Sequence, residues 1–157
     1  MPYISVNGIS LYYEIHGSGE PLLLLQGLGY PCEMWFSQVP VFSKDFTTII
    51  FDNRGTGRSD KPDEVYTIQQ MAGDTIALLN DLGVPLAHIL GVSMGGLIAQ
   101  EMAIEFPDRV KKLVLISTHY GTGYWEATKA VWEQILSMST GTLEEILREK
   151  LKFVLAP

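Results

Sequence analysis

The pentapeptide Gly91-Val92-Ser93-Met94-Gly95 sets a serine between two glycines, where an apolar run from Ala87 to Leu90 gives way to a helical pattern beginning at Met94. That context predicts a nucleophile elbow. A strained strand-to-helix turn lifts the serine hydroxyl above a sheet, and the next amide, that of Met94, points at the same space. Gly96 and Ala99 then let the helix lie close to the sheet. Gln26-Gly27-Leu28-Gly29 follows a second apolar run, so the Leu28 N–H is placed to converge with that of Met94 on one developing negative charge. A donor of this kind is worth about 3 to 4 kcal/mol in a transition state. Attack of Ser93 on a carbonyl, with Leu28 and Met94 as oxyanion hole, is the chemistry these residue types suit.

Other polar groups read as structural. Asp52 and Arg54 lie in Phe51-Asp52-Asn53-Arg54-Gly55-Thr56-Gly57-Arg58-Ser59-Asp60, and an aspartate among turn glycines ties down local backbone N–H groups. Of the three histidines, His16 falls in an N-terminal hairpin and His88 at the far end of the Ser93 strand; neither is expected to reach Ser93. His119 follows a strand at the same sheet edge as the elbow and is expected to line a pocket. Tyr30, Trp35, Tyr120, Tyr124 and Trp125 are further pocket candidates from their loop positions.

The elements that must position these groups follow from pattern. Tyr3 to Val6 and Leu11 to Ile15 flank Asn7-Gly8, a hairpin dipeptide. Pro21 to Leu25, Thr47 to Phe51, Ala87 to Leu90 and Leu113 to Ile116 are apolar on both faces, as strands covered by helices on both sides are. A helix is predicted over 68–82, with Thr67 and Gln70 spaced as a capping box and Gly83 as its stop; another runs from Met94 to Phe106, ending before Pro107. Between the strands ending at Leu25 and starting at Thr47 a helix from about Pro31 to Ser43 is expected. Tyr124 to Met138 and Leu143 to Leu155 read as amphipathic helices. The class is α/β with a mainly parallel sheet.

Composition narrows the partners. A net charge of −7 over 157 residues repels nucleic acid and anionic membrane surfaces, so neither is an expected partner, and a small neutral or weakly charged substrate fits better. A single cysteine, Cys32, excludes an internal disulfide and argues against a multi-cysteine zinc site; it reads as a packed or inert thiol. No metal or cofactor is expected. The N-terminus lacks a basic leader and the longest aliphatic run, Leu22 to Leu25, is too short to span a bilayer, so the expected location is cytoplasmic.

Together the three motif blocks, with Pro107-Asp108-Arg109-Val110, resemble the α/β-hydrolase superfamily. The group they look most like is the 3-oxoadipate enol-lactonases and small carboxylesterases, through Met34-Trp35, the 52–60 block and Gly91 to Gly96. The resemblance implies strand order 1-2-4-3-5-6-7-8, a helical cap after strand six, and a catalytic acid and histidine from loops after strands seven and eight. It therefore assigns 1–120 to the first six of the usual eight strands and 121–157 to the start of the cap, with the acid and histidine absent from this chain. Many relatives carry His-Gly where this chain has Gln26-Gly27. The implied function is hydrolysis of a small ester or lactone; the alternative is a non-catalytic binding or interaction module that retains the elbow as architecture. A complementary C-terminal segment or a second copy of the chain is the expected covering partner.

Overall fold

Asn7 and Gly8 both take positive φ, 49° and 80°, which is what a two-residue hairpin needs to match the right-handed twist of its strands. They join β1 (Tyr3–Val6) to β2 (Ile9–His16), antiparallel, with Val6 opposite Ile9. The remaining strands are β3 (Glu20–Leu25), β4 (Phe46–Phe51), β5 (Ala87–Val92) and β6 (Val110–Ile116). Between them lie α1 (Val39–Phe42), α2 (Ile68–Asp81) and α3 (Met94–Glu105). The computed structural model describes residues 2–120. The chain divides into two units, Met1–His119 and Tyr120–Pro157, and all of these elements belong to the first. The helices expected within 121–157 lie outside the described residues, as do Tyr124 and Trp125.

The six strands form one sheet in the order β1-β2-β4-β3-β5-β6. β2 meets β4 antiparallel; β3, β4, β5 and β6 are mutually parallel. The leucine run of β3 shows why its strand had to be apolar on both sides. Leu23 and Leu25 join a core with Met71, Leu78 and Leu79 of α2 and Ile98 and Met102 of α3, while Leu22 and Leu24 join a second core with Cys32, Trp35 and Val39. Alternation in β4 divides Ile49 and Phe51 from Ile50 in the same way.

Thr67 caps α2 by accepting from the Gln70 N–H at 3.0 Å. The reciprocal bond, from the Thr67 N–H to the Gln70 side-chain oxygen, does not form among the described residues, and the Gln70 Nε2 donates to Glu64 at 3.1 Å. The continuous helix expected over 31–43 is a correction: the segment is a 3-10 turn at Cys32–Trp35 followed by the single turn of α1. Pro40 is the cause, since an interior proline has no N–H to donate and its ring collides with the carbonyl four residues back. β6 is the outer strand of the sheet among the described residues, and Leu113, Val114, Leu115 and Ile116 are all exposed along it.

Candidate active site

Parallel strands β3, β4 and β5 end at one edge of the sheet, and the three sequence motifs are the segments that leave them there. At the end of β5, Ser93 stands at φ 53°, ψ −119°, a conformation that costs a residue with a side chain about 1 to 3 kcal/mol. The turn is held from β6: the Ser93 N–H donates to Ile116 O at 3.0 Å. Its carbonyl accepts from the Gly96 N–H at 2.9 Å and from the Thr118 hydroxyl at 2.8 Å. Three glycines make this packing possible. A Cβ on Gly91 would fall closer than 3.0 Å to the Gly95 carbonyl, one on Gly95 equally close to the Leu25 carbonyl, and one on Gly96 would meet Thr118 Cβ at 2.6 Å.

The loop after β3 comes directly against the serine: a Cβ on Gly27 would stand 3.3 Å from Ser93 Cβ and 3.8 Å from its Oγ. Within that loop Gln26 Oε1 accepts the Gly27 N–H at 3.0 Å, and the Tyr30 N–H reaches Gly27 O at 3.3 Å. The Leu28 N–H has no acceptor among the described residues. Met94, as the first residue of α3, has no intrahelical acceptor for its own N–H. The departure at Gln26 thus has a local use: the amide side chain occupies the neighbouring donor, a role the sequence did not announce.

Asp52 is buried after β4 and accepts the N–H of Cys32 at 2.6 Å and of Arg58 at 2.8 Å, which bears out its reading as a structural anchor. Arg54 is structural too. Its Nε and Nη2 make a two-pronged pair with Asp74 at 2.6 and 2.8 Å, with both side chains only 2% exposed. The Asp74 hydrogen bonds hold the Arg54 pKa above its ordinary value. Cys32 is buried, and burial, then Asp52, pushes its thiol well above the usual range. Arg58 lies over the Tyr12 ring at 3.6 Å, and the Tyr12 hydroxyl donates to Glu14 at 2.7 Å, a bond that raises the phenol to about 12.

Trp35, one of the pocket candidates, is buried. It is 6% exposed in the second core, placed there by the 3-10 turn, and its Nε1 has no hydrogen-bond partner among the described residues. Tyr30 and Tyr120 are exposed, as is Leu28. His16 pairs with Glu14 and His88 with Glu20, each at 2.8 Å, the latter at the sheet edge opposite the elbow. His119 follows β6 on the elbow side, and its carbonyl accepts the Gln100 amide at 2.9 Å. Sequence reasoning missed Thr118; the signal was the doubled glycine Gly95-Gly96, whose second member leaves the space that Thr118 fills.

A sharp strand-to-helix turn bearing a serine, on a sheet of this order, defines a class. The chain belongs to the alpha/beta hydrolase fold family, whose pattern matches residues 20–157. It is 38% identical over 117 residues to a putative carbamate hydrolase RutD of Azorhizobium caulinodans, covering 74% of this chain and 44% of that protein. It is 34% identical over 129 residues to 3-oxoadipate enol-lactonase 2 of Acinetobacter baylyi, covering 81% and 48%. The solved enol-lactonase of Burkholderia xenovorans LB400 superposes with a TM-score of 0.74 at 30% identity, covering 98% of this chain and 65% of that one. The chain thus spans about half the length of the curated relatives it matches. Among the described residues no helix is long and apolar enough to cross a membrane.

Proposed function

We propose that this chain supplies the nucleophile and oxyanion hole of a serine hydrolase acting on a small ester or lactone. Ser93 Oγ attacks the acyl carbonyl, and the Leu28 and Met94 N–H groups receive the charge that develops on its oxygen. The tetrahedral intermediate then breaks its bond to the protonated alcohol oxygen, which in a lactone stays tethered to the acyl group, and water cleaves the resulting acyl-enzyme. The observation that carries the reading is the backbone of Ser93, held at φ 53° between glycines that clear the ground for it. A serine that merely closed a turn would have no need of that strain, since glycine adopts it freely.

The base that takes the Ser93 proton is assigned to a histidine that these 157 residues do not carry. His16 and His88 are committed to Glu14 and Glu20, and the curated relatives extend well beyond the length this chain covers. The likeness to an enol-lactonase supports a lactone or ester substrate. Labelling with a fluorophosphonate, on this chain together with the segment that carries the base, tests the assignment: the wild-type assembly takes up one equivalent and Ser93→Ala takes up none. Leu28→Pro, which deletes the proposed donor, lowers the labelling rate by about 100-fold. Equal labelling of wild type and Ser93→Ala would sink the nucleophile.

A further inference from the structure

Thr118 stands outside every motif, yet its hydroxyl reaches the one carbonyl whose peptide unit also contains the Met94 N–H. The Thr118 Oγ1 to Ser93 O distance is 2.8 Å. Because a peptide unit is planar, a hydrogen bond to its oxygen fixes the direction of the N–H on its far side. The same bond draws electron density toward the oxygen and makes that N–H a stronger donor, as chains of hydrogen bonds polarise one another. From this we infer that Thr118 is a positioning residue for the Met94 arm of the oxyanion hole, an inference that rests on the proposed function of that amide.

The surroundings are built for this contact. Gly96 leaves open the volume Thr118 occupies: a Cβ there would lie 2.6 Å from the threonine Cβ and 2.6 Å from its Oγ1. The threonine is itself set by its neighbours. Ser117 takes φ 46°, a left-handed step that turns the chain back over α3 directly after β6, and Gln100 Nε2 pins the following carbonyl, His119 O, at 2.9 Å and Gly96 O at 3.0 Å. The Ser93 N–H bond to Ile116 O completes the grip, so both sides of the serine are tied to residues 116–118. A simple strand-to-helix tie would be met by that last bond alone. Ser93 O also has helical donors in Gly96 and Leu97, so the Thr118 hydroxyl is not needed to satisfy the carbonyl; its effect is on the peptide plane.

The test compares Thr118→Val, which keeps the shape and loses the donor, with Thr118→Ser, which keeps the donor. In fluorophosphonate labelling, Thr118→Val lowers the maximal inactivation rate by about 10-fold, the worth of one hydrogen bond, with the half-saturating probe concentration unchanged. Thr118→Ser restores the rate. The Met94 amide resonance in a two-dimensional 15N spectrum moves in the valine variant and returns in the serine variant. A valine variant that left the Met94 resonance in place, or a serine variant that behaved like valine, would overturn the inference. Because the resonance is read on unreacted protein, it decides the role of Thr118 even if Ser93 proves unreactive, an outcome that would strike the proposed function instead.

Discussion

Gly95→Ala and Gly73→Ala add the same methyl group to a helix and should move stability in opposite directions. Gly73 lies inside α2 with nothing within 4 Å of where a Cβ would stand, and its φ is not positive. Alanine there recovers the helix penalty of glycine, a gain of about 0.8 kcal/mol. Gly95 lies in the first turn of α3, and the three atoms nearest its would-be Cβ are Leu25 O, Leu25 C and Gln26 O, all backbone and all closer than 3.0 Å. Those atoms end β3, which is paired on both sides by β4 and β5, so the strand cannot step back. Overpacking against a fixed backbone costs about 3 kcal/mol. With a urea dependence of about 2 kcal/mol per molar, the midpoint followed by far-UV circular dichroism rises by about 0.4 M for Gly73→Ala and falls by about 1.5 M for Gly95→Ala. A Gly95→Ala protein with an unchanged or higher midpoint would show that α3 is free to slide on β3. Glycine would then not be what fixes the elbow against the Gln26–Gly29 loop.

Arg54→Leu leaves the Asp74 carboxylate buried without its cation and lowers stability by about 3 to 5 kcal/mol; the double variant Arg54→Leu with Asp74→Leu recovers much of that loss, and chemical denaturation of the four proteins checks it. Hydrogen bonds from His88 and then from Lys111 lower the Glu20 pKa from 4.5 to about 2. A carboxylate lowered on folding contributes stability above its unfolded value, and that contribution is lost as pH falls from about 4.5 toward 2. Lys111→Met should therefore move the Glu20 carboxyl midpoint upward in a 13C titration, and an unmoved midpoint would refute the pairing. Along β6 the exposed Leu113-Val114-Leu115-Ile116 run is an open edge among the described residues, and we propose that it pairs with another chain. Sedimentation of the 157-residue chain should show concentration-dependent association that Val114→Lys suppresses, and a wild-type monomer at every concentration would dispose of the idea.

The sheet was legible because its signals are local. Leu22 to Leu25 had to be buried on two faces whatever the fold, and Asn7-Gly8 had to be a hairpin. The elbow was legible for a related reason in part: the crowding that demands Gly91 comes from Gly95 and Gly96 and is written in a short motif, whereas Gly95 answers to the distant Leu25 and Gln26 backbone. What escaped depends on distant partners. Trp35 reads from the sequence as a loop residue, and its place in the core with Val39 and Leu24 comes from the 3-10 turn that carries it. Asp74 carries no signal in the sequence, since only the fold brings Arg54, twenty residues away, to neutralise it. The second half of the capping box is lost closer by, where the Gln70 side chain turns to Glu64.

Asp52 shows how the structural and the chemical halves of the sequence depend on each other. Its carboxylate holds the Cys32 N–H through one oxygen and the Arg58 N–H through the other, and a Cβ on Gly57 would collide with it. The Cys32 end of the loop that carries Leu28 is thereby fixed, while the Gly27 end is fixed by Gln26 and by contact with Ser93. An oxyanion donor is useful only if it needs no rearrangement when charge appears. On the proposed reading, the Leu28 amide meets that condition because a loop of few residues is pinned at both ends, and the Met94 amide meets it because its peptide plane is pinned by Thr118. Asp52 and Thr118 thus do one job on two strands without touching substrate. That accounts for the 52–60 block after β4 in a chain whose acid and base lie elsewhere on this reading. It also implies that loss of Asp52 should depress acyl chemistry through the loop after β3 rather than through Ser93 itself.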